Sequence, residues 1–306
     1  MIDLVALQAL GAVQAHGSVV AAADALGFTP SAVSQQLKKL ERQTGTPVLE
    51  RYGRGVLLTD HGRRLATRGA DLLASMEALE SDLDAAGARV EGRVRLAAFS
   101  TAVRGLVAPM LARVRADGVD LDVSVVEQDP VESLALVAAG QVEAALVHTW
   151  GDTVLPMADH LQTRVIGSDV ADVLVPVGHP LASRGQVTPQ DLVHEVFACA
   201  PAGSVCHQWM SRMFVHTGGS PRIAFWAAEF SSHIALVEHG AAVSLMPRLG
   251  RQLLPPGVAV LAVADPVPTR TVSIAWRRSM SSSPNIAYLR DLLVEIAPGL
   301  GLDPPA

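Results

Sequence analysis

The sequence predicts a helical N-terminal domain, then one long helix, then a larger α/β domain. Three observations support this order. Short helical patterns with strong capping residues fill about the first sixty residues, and a heptad-like apolar pattern follows them. From Gly92 onward, strand-like and helical segments alternate in a β-α-β-α-β order, which is typical of a parallel α/β sheet.

The composition agrees with a well-packed protein of two or three domains. The 306 residues are 49% apolar and 18% charged, and the net charge is −6. That charge argues against a uniformly basic surface but allows a local basic face. Two cysteines imply no disulfide framework, and neither a signal peptide nor an uncharged apolar run long enough to cross a bilayer is evident. We therefore expect a cytoplasmic protein with no membrane partner.

Two short helices begin the N-terminal domain. Apolar residues of the first helix share one face: Leu4, Leu7, Leu10 and Val13. Ser18 is a suitable N-cap for the second helix, "VVAAADAL", and Gly27 is a suitable C-terminal cap. The alanines of this second helix allow another helix to cross it closely.

A third helix follows in "TPSAVSQQLKKLERQTG". Thr29 predicts its N-cap, Pro30 its first position and Gly45 the residue after its end. One face is apolar and consists of Val33, Leu37 and Leu40. Another face is polar and basic and consists of Ser31, Gln35, Lys38 and Arg42, with Ser34 beside it.

The polar face of the third helix suits contact with duplex DNA. Short hydroxyl and amide side chains reach base edges in a major groove, and Lys and Arg neutralise phosphates. Lys38 and Lys39 are the only lysines in the chain, and we expect both to anchor phosphates. An isolated basic helix face is more often simply solvated, but two short helices joined at a tight glycine turn indicate a helix-turn-helix. The predicted DNA contacts on this helix are Thr29, Ser31, Ser34, Gln35, Lys38 and Arg42.

Two short strands are predicted around the turn "RYGRG". Arg51 and Arg54 lie near its tip, where a wing contacts phosphate or the minor groove. The alternative is a charged hairpin with no DNA contact. Thr59 then predicts the N-cap of the next helix.

A long helix is predicted over residues 60 to 88. Its apolar residues follow a heptad-like pattern: Leu65, Leu72, Met76, Leu79 and Leu83. A helix of this length with one narrow apolar stripe favours pairing with a second copy. Packing on the chain's own domain is the alternative.

The segment from Leu4 to Gly62 closely resembles the winged helix-turn-helix of LysR-type transcriptional regulators. The matching segments are "GSVVAAADALGFTPSAVSQQLKKLE", "TGTPVLERYGRGVLLT" and the following "DHG". One departure is Leu49, where the family usually has Phe.

This resemblance implies the architecture and the partners. It implies a two-lobed α/β effector domain similar to type 2 periplasmic binding proteins, preceded by the winged helix-turn-helix and a linker helix. The implied partners are an operator DNA, a small-molecule effector, a second copy through the linker helix, further copies forming a tetramer, and RNA polymerase. The expected boundaries are 1–59 for the DNA-binding domain, 60–90 for the linker, 91–162 with 268–306 for lobe I, and 163–267 for lobe II.

An effector site is expected where strands of the α/β domain end. Open α/β sheets bind ligands beyond the carboxyl ends of their strands. Residues at these positions are Ser100, Thr101, His148, Thr149, Gly203, Ser204, Phe230 and Ser231. Several lie at helix N-termini, which suits a carboxylate, although each serine alone is explained by capping. The family resemblance places the effector between the lobes, and we expect an organic acid or an amino-acid-like metabolite.

Other chemistry finds less support in the sequence. Cys199 and Cys206 form a candidate redox pair, because peroxide-sensing members of the family use two cysteines in this lobe. A cytoplasmic solute-binding protein is an alternative of a different class, but the N-terminal domain argues against it. Catalytic motifs and tight metal-ligand spacing are absent from the sequence, so we expect neither an enzyme nor a cofactor.

Overall fold

A computed structural model of the chain describes residues 2–53, 55–87 and 89–304. The N-terminal domain consists of three helices and a hairpin. Its helices are α1 (Leu4–His16), α2 (Val19–Leu26) and α3 (Pro30–Thr44). Its antiparallel strands are β1 (Leu49–Tyr52) and β2 (Gly55–Leu58).

The predicted caps of these helices are confirmed. The hydroxyl of Ser18 accepts from the backbone N–H of Ala21, and that of Thr29 accepts from Ala32 at 3.2 Å. Gly27 and Gly45 end α2 and α3 in the left-handed conformation, which a residue with a side chain rarely adopts. Local sequence therefore sets the bounds of both helices of the helix-turn-helix.

A single helix, α4 (Asp60–Gly87), leads out of this domain. Thr59 begins it by accepting from the Gly62 N–H at 2.9 Å. Gly62 is required there, because a Cβ would lie 2.2 Å from the carbonyl oxygen of Val48. Leu65 packs against the N-terminal core. Further along, four apolar residues of α4 are 37–65% exposed: Leu72, Met76, Leu79 and Leu83.

The remaining chain forms one mixed sheet with helices packed against it. Its strands are β3 (Glu91–Ala98), β4 (Asp120–Glu127), β5 (Ala144–Trp150), β6 (Leu161–Pro176), β7 (Gln186–Val187), β8 (Val196–Cys199), β9 (Arg222–Trp226), β10 (Val243–Pro247), β11 (Val258–Val263) and β12 (Thr269–Arg277). Its α-helices are α5 (Ser100–Ala102), α6 (Ala108–Ala116), α7 (Pro130–Ala138), α8 (Pro189–Leu192), α9 (Val205–Met213), α10 (Phe230–Glu238) and α11 (Pro284–Ile296). A π-helical turn, Val103–Val107, joins α5 to α6.

The sheet is divided into two lobes by the long strand β6. Its main path runs in the order β4-β3-β5-β12-β6-β10-β8-β9, and β11 with β7 flanks β6. Up to Val170, β6 pairs with β12, and from Ala171 it pairs with β10. The pairing partner of β6 therefore changes after residue 170, and the expected lobe boundary at 162 stays a prediction. The chain returns to the first lobe through β12.

In the described part of the chain, no single helix has both the length and the apolar character needed to cross a membrane. Helices α1 and α2 meet these criteria only as a pair, which is bent by 119°.

Candidate functional site

The outward face of α3 presents the residues that the sequence predicts for DNA contact. Three inward residues that are at most 2% exposed fix the rotation of the helix: Val33, Leu37 and Leu40. Exposed on the other side are Ser31, Gln35, Lys38 and Arg42. Glu41 holds the end of the helix to the hairpin, because its carboxylate accepts from the Val48 N–H at 2.9 Å. The polar, cationic face of α3 is therefore held in a fixed orientation, exposed to solvent.

Two hydroxyls near the start of α3 already have partners. The Ser34 hydroxyl donates to the Pro30 carbonyl at 2.8 Å. The Thr29 hydroxyl caps the helix and lies 3.0 Å from that of Ser31. DNA contact by Thr29 or Ser34 would add to these bonds or replace them.

The two lysines of α3 have different environments, unlike the expectation that both anchor phosphates. Lys38 is exposed on the outward face. Lys39 is turned toward α1, where its ammonium group pairs with the carboxylate of Asp3. Asp3 caps α1 by accepting from the Ala6 N–H, and the hydrogen bond from Lys39 holds the pKa of Asp3 below its usual value. Lys39 therefore fastens α3 to α1.

The hairpin supplies the wing beside α3. Arg51 is exposed on β1, and Tyr52 next to it is 71% exposed. Arg54, the second arginine predicted for the wing, lies outside the described residues.

A buried ion pair lies where the two lobes meet. Arg270 on β12 and Asp169 on β6 are register partners, and their side chains are at most 1% exposed. The guanidinium of Arg270 contacts the Asp169 carboxylate at 2.7 Å and donates to the Thr101 hydroxyl at 2.8 Å. The other oxygen of Asp169 accepts from the Leu249 N–H at 3.0 Å. This network joins the first turn of α5 to both crossing strands and to the segment after β10.

Aromatic side chains surround the ion pair. The guanidinium carbon of Arg270 lies 5.0 Å from the ring centre of Phe99 and 5.5 Å from that of Trp150. Trp150 in turn stacks on Trp209 of α9, with ring centres 6.2 Å apart and planes 10° from parallel. The stack closes the two lobes against each other at this point.

His148 is buried in the same cluster. It packs edge-on against Phe99 at 4.5 Å and is 3% exposed. Its pKa lies well below 6.5 because burial disfavours the imidazolium form and the charge of Arg270 repels it. Its Nδ1 and the indole Nε1 of Trp209 are buried atoms without a hydrogen-bond partner among the described residues.

The structure brings only some of the predicted effector residues together. Thr101 and His148 join the buried cluster, and Phe230 borders a cavity that Trp150 also lines. That cavity measures about 20 Å³, which is room for one water. A larger ligand would enter this cavity only if the side chains that line it moved.

The other predicted effector residues form local hydrogen bonds or, among the described residues, no hydrogen bond with the cluster. Ser204 caps α9 by accepting from the His207 N–H, and the N–H of Gly203 donates to the His207 ring at 3.1 Å. The exposed Ser231 donates to the Glu229 carboxylate. Ser100 and Thr149 are half-buried at the ends of β3 and β5. Their contact with an effector stays a prediction.

Sequence reasoning missed the residues at the centre of the junction. Arg270 and Asp169 carry it, with Trp209 beside them, whereas Trp150 directly follows the predicted effector residues His148 and Thr149. A signal for the first two exists in hindsight, because each is a charged residue inside a β-strand, and such a residue is rarely buried unless it is paired. Their pairing was not readable, since 101 residues separate them.

The two cysteines lie near this junction in an environment that protects the thiol. Burial is the largest influence on both and raises the pKa of Cys199 to about 12. It also raises the pKa of Cys206, although Arg270 opposes the shift. The reactive thiolate form is therefore suppressed in this structure.

A DNA-binding helix-turn-helix joined by a long helix to a two-lobed α/β domain defines a transcriptional regulator with a sensory domain on the same chain. Two family models match the sequence. The model of the bacterial regulatory helix-turn-helix protein, lysR family, matches residues 4–63, and that of the LysR substrate binding domain matches residues 87–298. The chain belongs to the LysR family of transcriptional regulators.

Individual relatives agree with this assignment. The chain is 26% identical to the HTH-type transcriptional regulator LrrA of Synechococcus elongatus over 301 residues, 97% of this chain and 98% of LrrA. It is 31% identical over 245 residues to the small neutral protease regulatory protein of Streptomyces coelicolor, covering 78% and 71% of the two chains. A full-length OxyR variant from Pseudomonas aeruginosa has the same fold, with a TM-score of 0.71, 18% identity and coverage of 96% and 95%.

Proposed function

We propose that the outward face of α3 reads an operator in duplex DNA and that a small molecule bound between the lobes controls this binding. The observation that carries the first half is the division of α3 into a fully buried face and an exposed polar and cationic face. Base edges would be read by Ser31 and Gln35, with Thr29 and Ser34 close by. Phosphates would be contacted by Lys38, Arg42, Arg51 and Arg54.

The exposed stripe of α4 supports a dimer. Leu72, Met76, Leu79 and Leu83 lie within about one sixth of the helix circumference, at about 100° per residue, and face solvent in one chain. A second copy of α4 would cover them, and the dimer would place two copies of α3 in successive major grooves. We also propose that dimers form tetramers through the lobes and that the regulator contacts RNA polymerase. Such a regulator works in the cytoplasm, beside the bacterial chromosome.

The lobe junction supports the effector half of the proposal. Helices α5 and α9 begin there, and their N-termini favour an anionic group. The buried Nε1 of Trp209 lacks an acceptor among the described residues, so a ligand oxygen that reached it would recover a hydrogen bond. These features fit an organic acid or an amino-acid-like effector. The proposed boundaries are 1–59, 60–90 and 91–306, with the first lobe boundary at residue 162.

Regulation by cysteine oxidation is a weaker alternative. The raised pKa values of Cys199 and Cys206 work against attack on an oxidant, which requires a thiolate. We therefore propose ligand binding rather than redox chemistry or catalysis as the source of control.

A two-stage experiment tests this function. The full chain is screened by thermal shift against organic acids and amino acids, since a ligand that binds only the folded state raises the melting temperature. Each hit is then added to a titration of promoter DNA from the chain's own genome. The proposal predicts a hit that changes DNA affinity and that Thr101→Val weakens. Hits that leave DNA affinity unchanged, or a panel without hits, would contradict the effector half.

A further inference from the structure

The linker helix α4 is fastened to lobe I by a half-buried ion pair. The guanidinium of Arg277, at the end of β12, contacts both oxygens of the Glu77 carboxylate at 2.7–3.0 Å. Its remaining nitrogen donates to the carbonyls of Val137 and Val142. Burial acts to raise the pKa of Glu77, but the hydrogen bond and charge of Arg277 outweigh it and hold that pKa below its usual value. The pair is a bidentate contact with a buried, fully satisfied arginine.

Serine side chains extend this attachment along one turn of α4. The Ser279 hydroxyl donates to Glu77, and the Ser282 hydroxyl donates to Asp82 at 2.6 Å. Ser81, one turn after Glu77, is 5% exposed and lies 3.0 Å from Ser282. The attached side of α4 is opposite its exposed apolar stripe, so the helix offers one side to lobe I and leaves the other available to a partner.

Strand β12 joins this attachment directly to the lobe junction. Arg270 near its start belongs to the buried cluster, and Arg277 at its end holds Glu77. The two residues are seven apart, so roughly 23 Å of strand separates them at 3.3 Å per residue. Between them β12 is hydrogen-bonded on both sides, to β5 and to β6. Its pairing with β5 is continuous, and its pairing with β6 has one register shift, between Val272 and Ser273.

We propose that β12 couples the lobe junction to the linker helix, with Arg270 responding to rearrangement at the junction and Arg277 moving α4 through Glu77. This rests on the proposed function only in taking the junction as the effector site. In this proposal Arg277 and Glu77 are positioning residues, which act through α4 and not directly on DNA or ligand. Coupling between two sites is reciprocal, so a change at either end of β12 must be felt at the other.

Hydrogen exchange of the full chain tests the coupling without DNA or effector. Glu77→Gln removes the charge at the helix end and keeps an acceptor for Arg277. Thr101→Val removes the acceptor of Arg270 at the junction end while nearly keeping the shape. Glu80→Gln, an exposed glutamate on the same helix, is the control.

The expected result is reciprocal. Glu77→Gln speeds hydrogen exchange at residues 148–150 and 269–271. Thr101→Val speeds hydrogen exchange at residues 77–82. We expect each rate to rise by about fivefold or more, since fivefold is about the weakest coupling typical of allosteric sites. Glu80→Gln changes neither region. Changes confined to the neighbourhood of each substitution, or a uniform rise across the chain from general destabilisation, would overturn the proposal. Either result leaves DNA and effector binding to be judged separately.

Discussion

Asp169 and Arg270 lie directly opposite each other on β6 and β12, and their ion pair is sealed from solvent just before β6 changes its pairing partner. The same arginine contacts Thr101 of lobe I and lies over the rings of Phe99 and Trp150. One buried guanidinium thus touches most of the elements that meet at the junction. Displacement of any of these elements would alter its hydrogen bonds.

Removing Arg270 should strongly destabilise the effector domain. Arg270→Met leaves the Asp169 carboxylate buried without its cation, and we expect a loss of about 3–5 kcal/mol in the free energy of unfolding. Urea unfolding of the full chain measures it. Arg164→Met is the matched control, since Arg164 lies on β6, the strand of Asp169, in an exposed pair with Asp291 and should cost at most about 1 kcal/mol. Equal losses in the two variants would refute a special role for the buried pair.

His148 should make stability depend on pH. Its folded pKa lies below the unfolded value of 6.5, so the unfolded chain binds a proton first as the pH falls. Stability is therefore fully present above about pH 6.5 and declines below it, toward the folded pKa. His148→Leu should make this decline smaller, as measured by the free energy of unfolding at a series of pH values. His233, whose pKa is also lowered by burial, contributes a further part of the decline. An unchanged slope in His148→Leu would show that the imidazole is not held neutral.

The exposed stripe of α4 should control assembly. Leu79→Asp places a carboxylate in the proposed interface, and we expect sedimentation velocity to show monomers where the unmodified chain is dimeric. Ala70→Asp inserts the same charge on the opposite, exposed side of the helix and should leave the dimer intact. The interface lies elsewhere if both variants remain dimeric.

The cysteines should resist oxidation in the folded chain. With the pKa of Cys199 near 12 and that of Cys206 raised, peroxide at neutral pH should neither form a disulfide nor shift the melting temperature. Mass spectrometry after brief peroxide treatment gives the answer, with urea-unfolded chain as the positive control. A native disulfide that changed DNA affinity would revive the redox alternative.

Local features of this chain were predictable and distant pairings were not. Ser18, Thr29 and Gly45 act on neighbours a few residues away, so their roles can be read from the sequence. The first half of β6 was not predicted as a strand, because Thr163, Arg164 and Val165 are consecutive exposed residues without alternation. Only the later segment "DVLVPVG" has the apolar character of a buried strand.

The candidate sites follow the same division. The outward face of α3 could be predicted from the sequence, because the helical period alone decides which residues share a face. The environments of Lys38 and Lys39 depend on where α1 lies, and the partner of Lys39 is 36 residues away. Likewise the junction cluster exists only because strand register sets Arg270 opposite Asp169. Residues that follow strands, such as Ser204, were identified by position, which does not reveal which of them converge.

The two adjacent lysines give the most direct test of the proposed DNA-reading face. Affinity for promoter DNA is measured over a series of salt concentrations for the unmodified chain, Lys38→Ala and Lys39→Ala. Lys38→Ala should weaken binding to all sequences alike and reduce the salt slope by about one. Lys39→Ala should lower the melting temperature and leave the slope unchanged, because Lys39 pairs with Asp3. An unchanged slope in Lys38→Ala, or equal reductions in both variants, would contradict the assignment of this face.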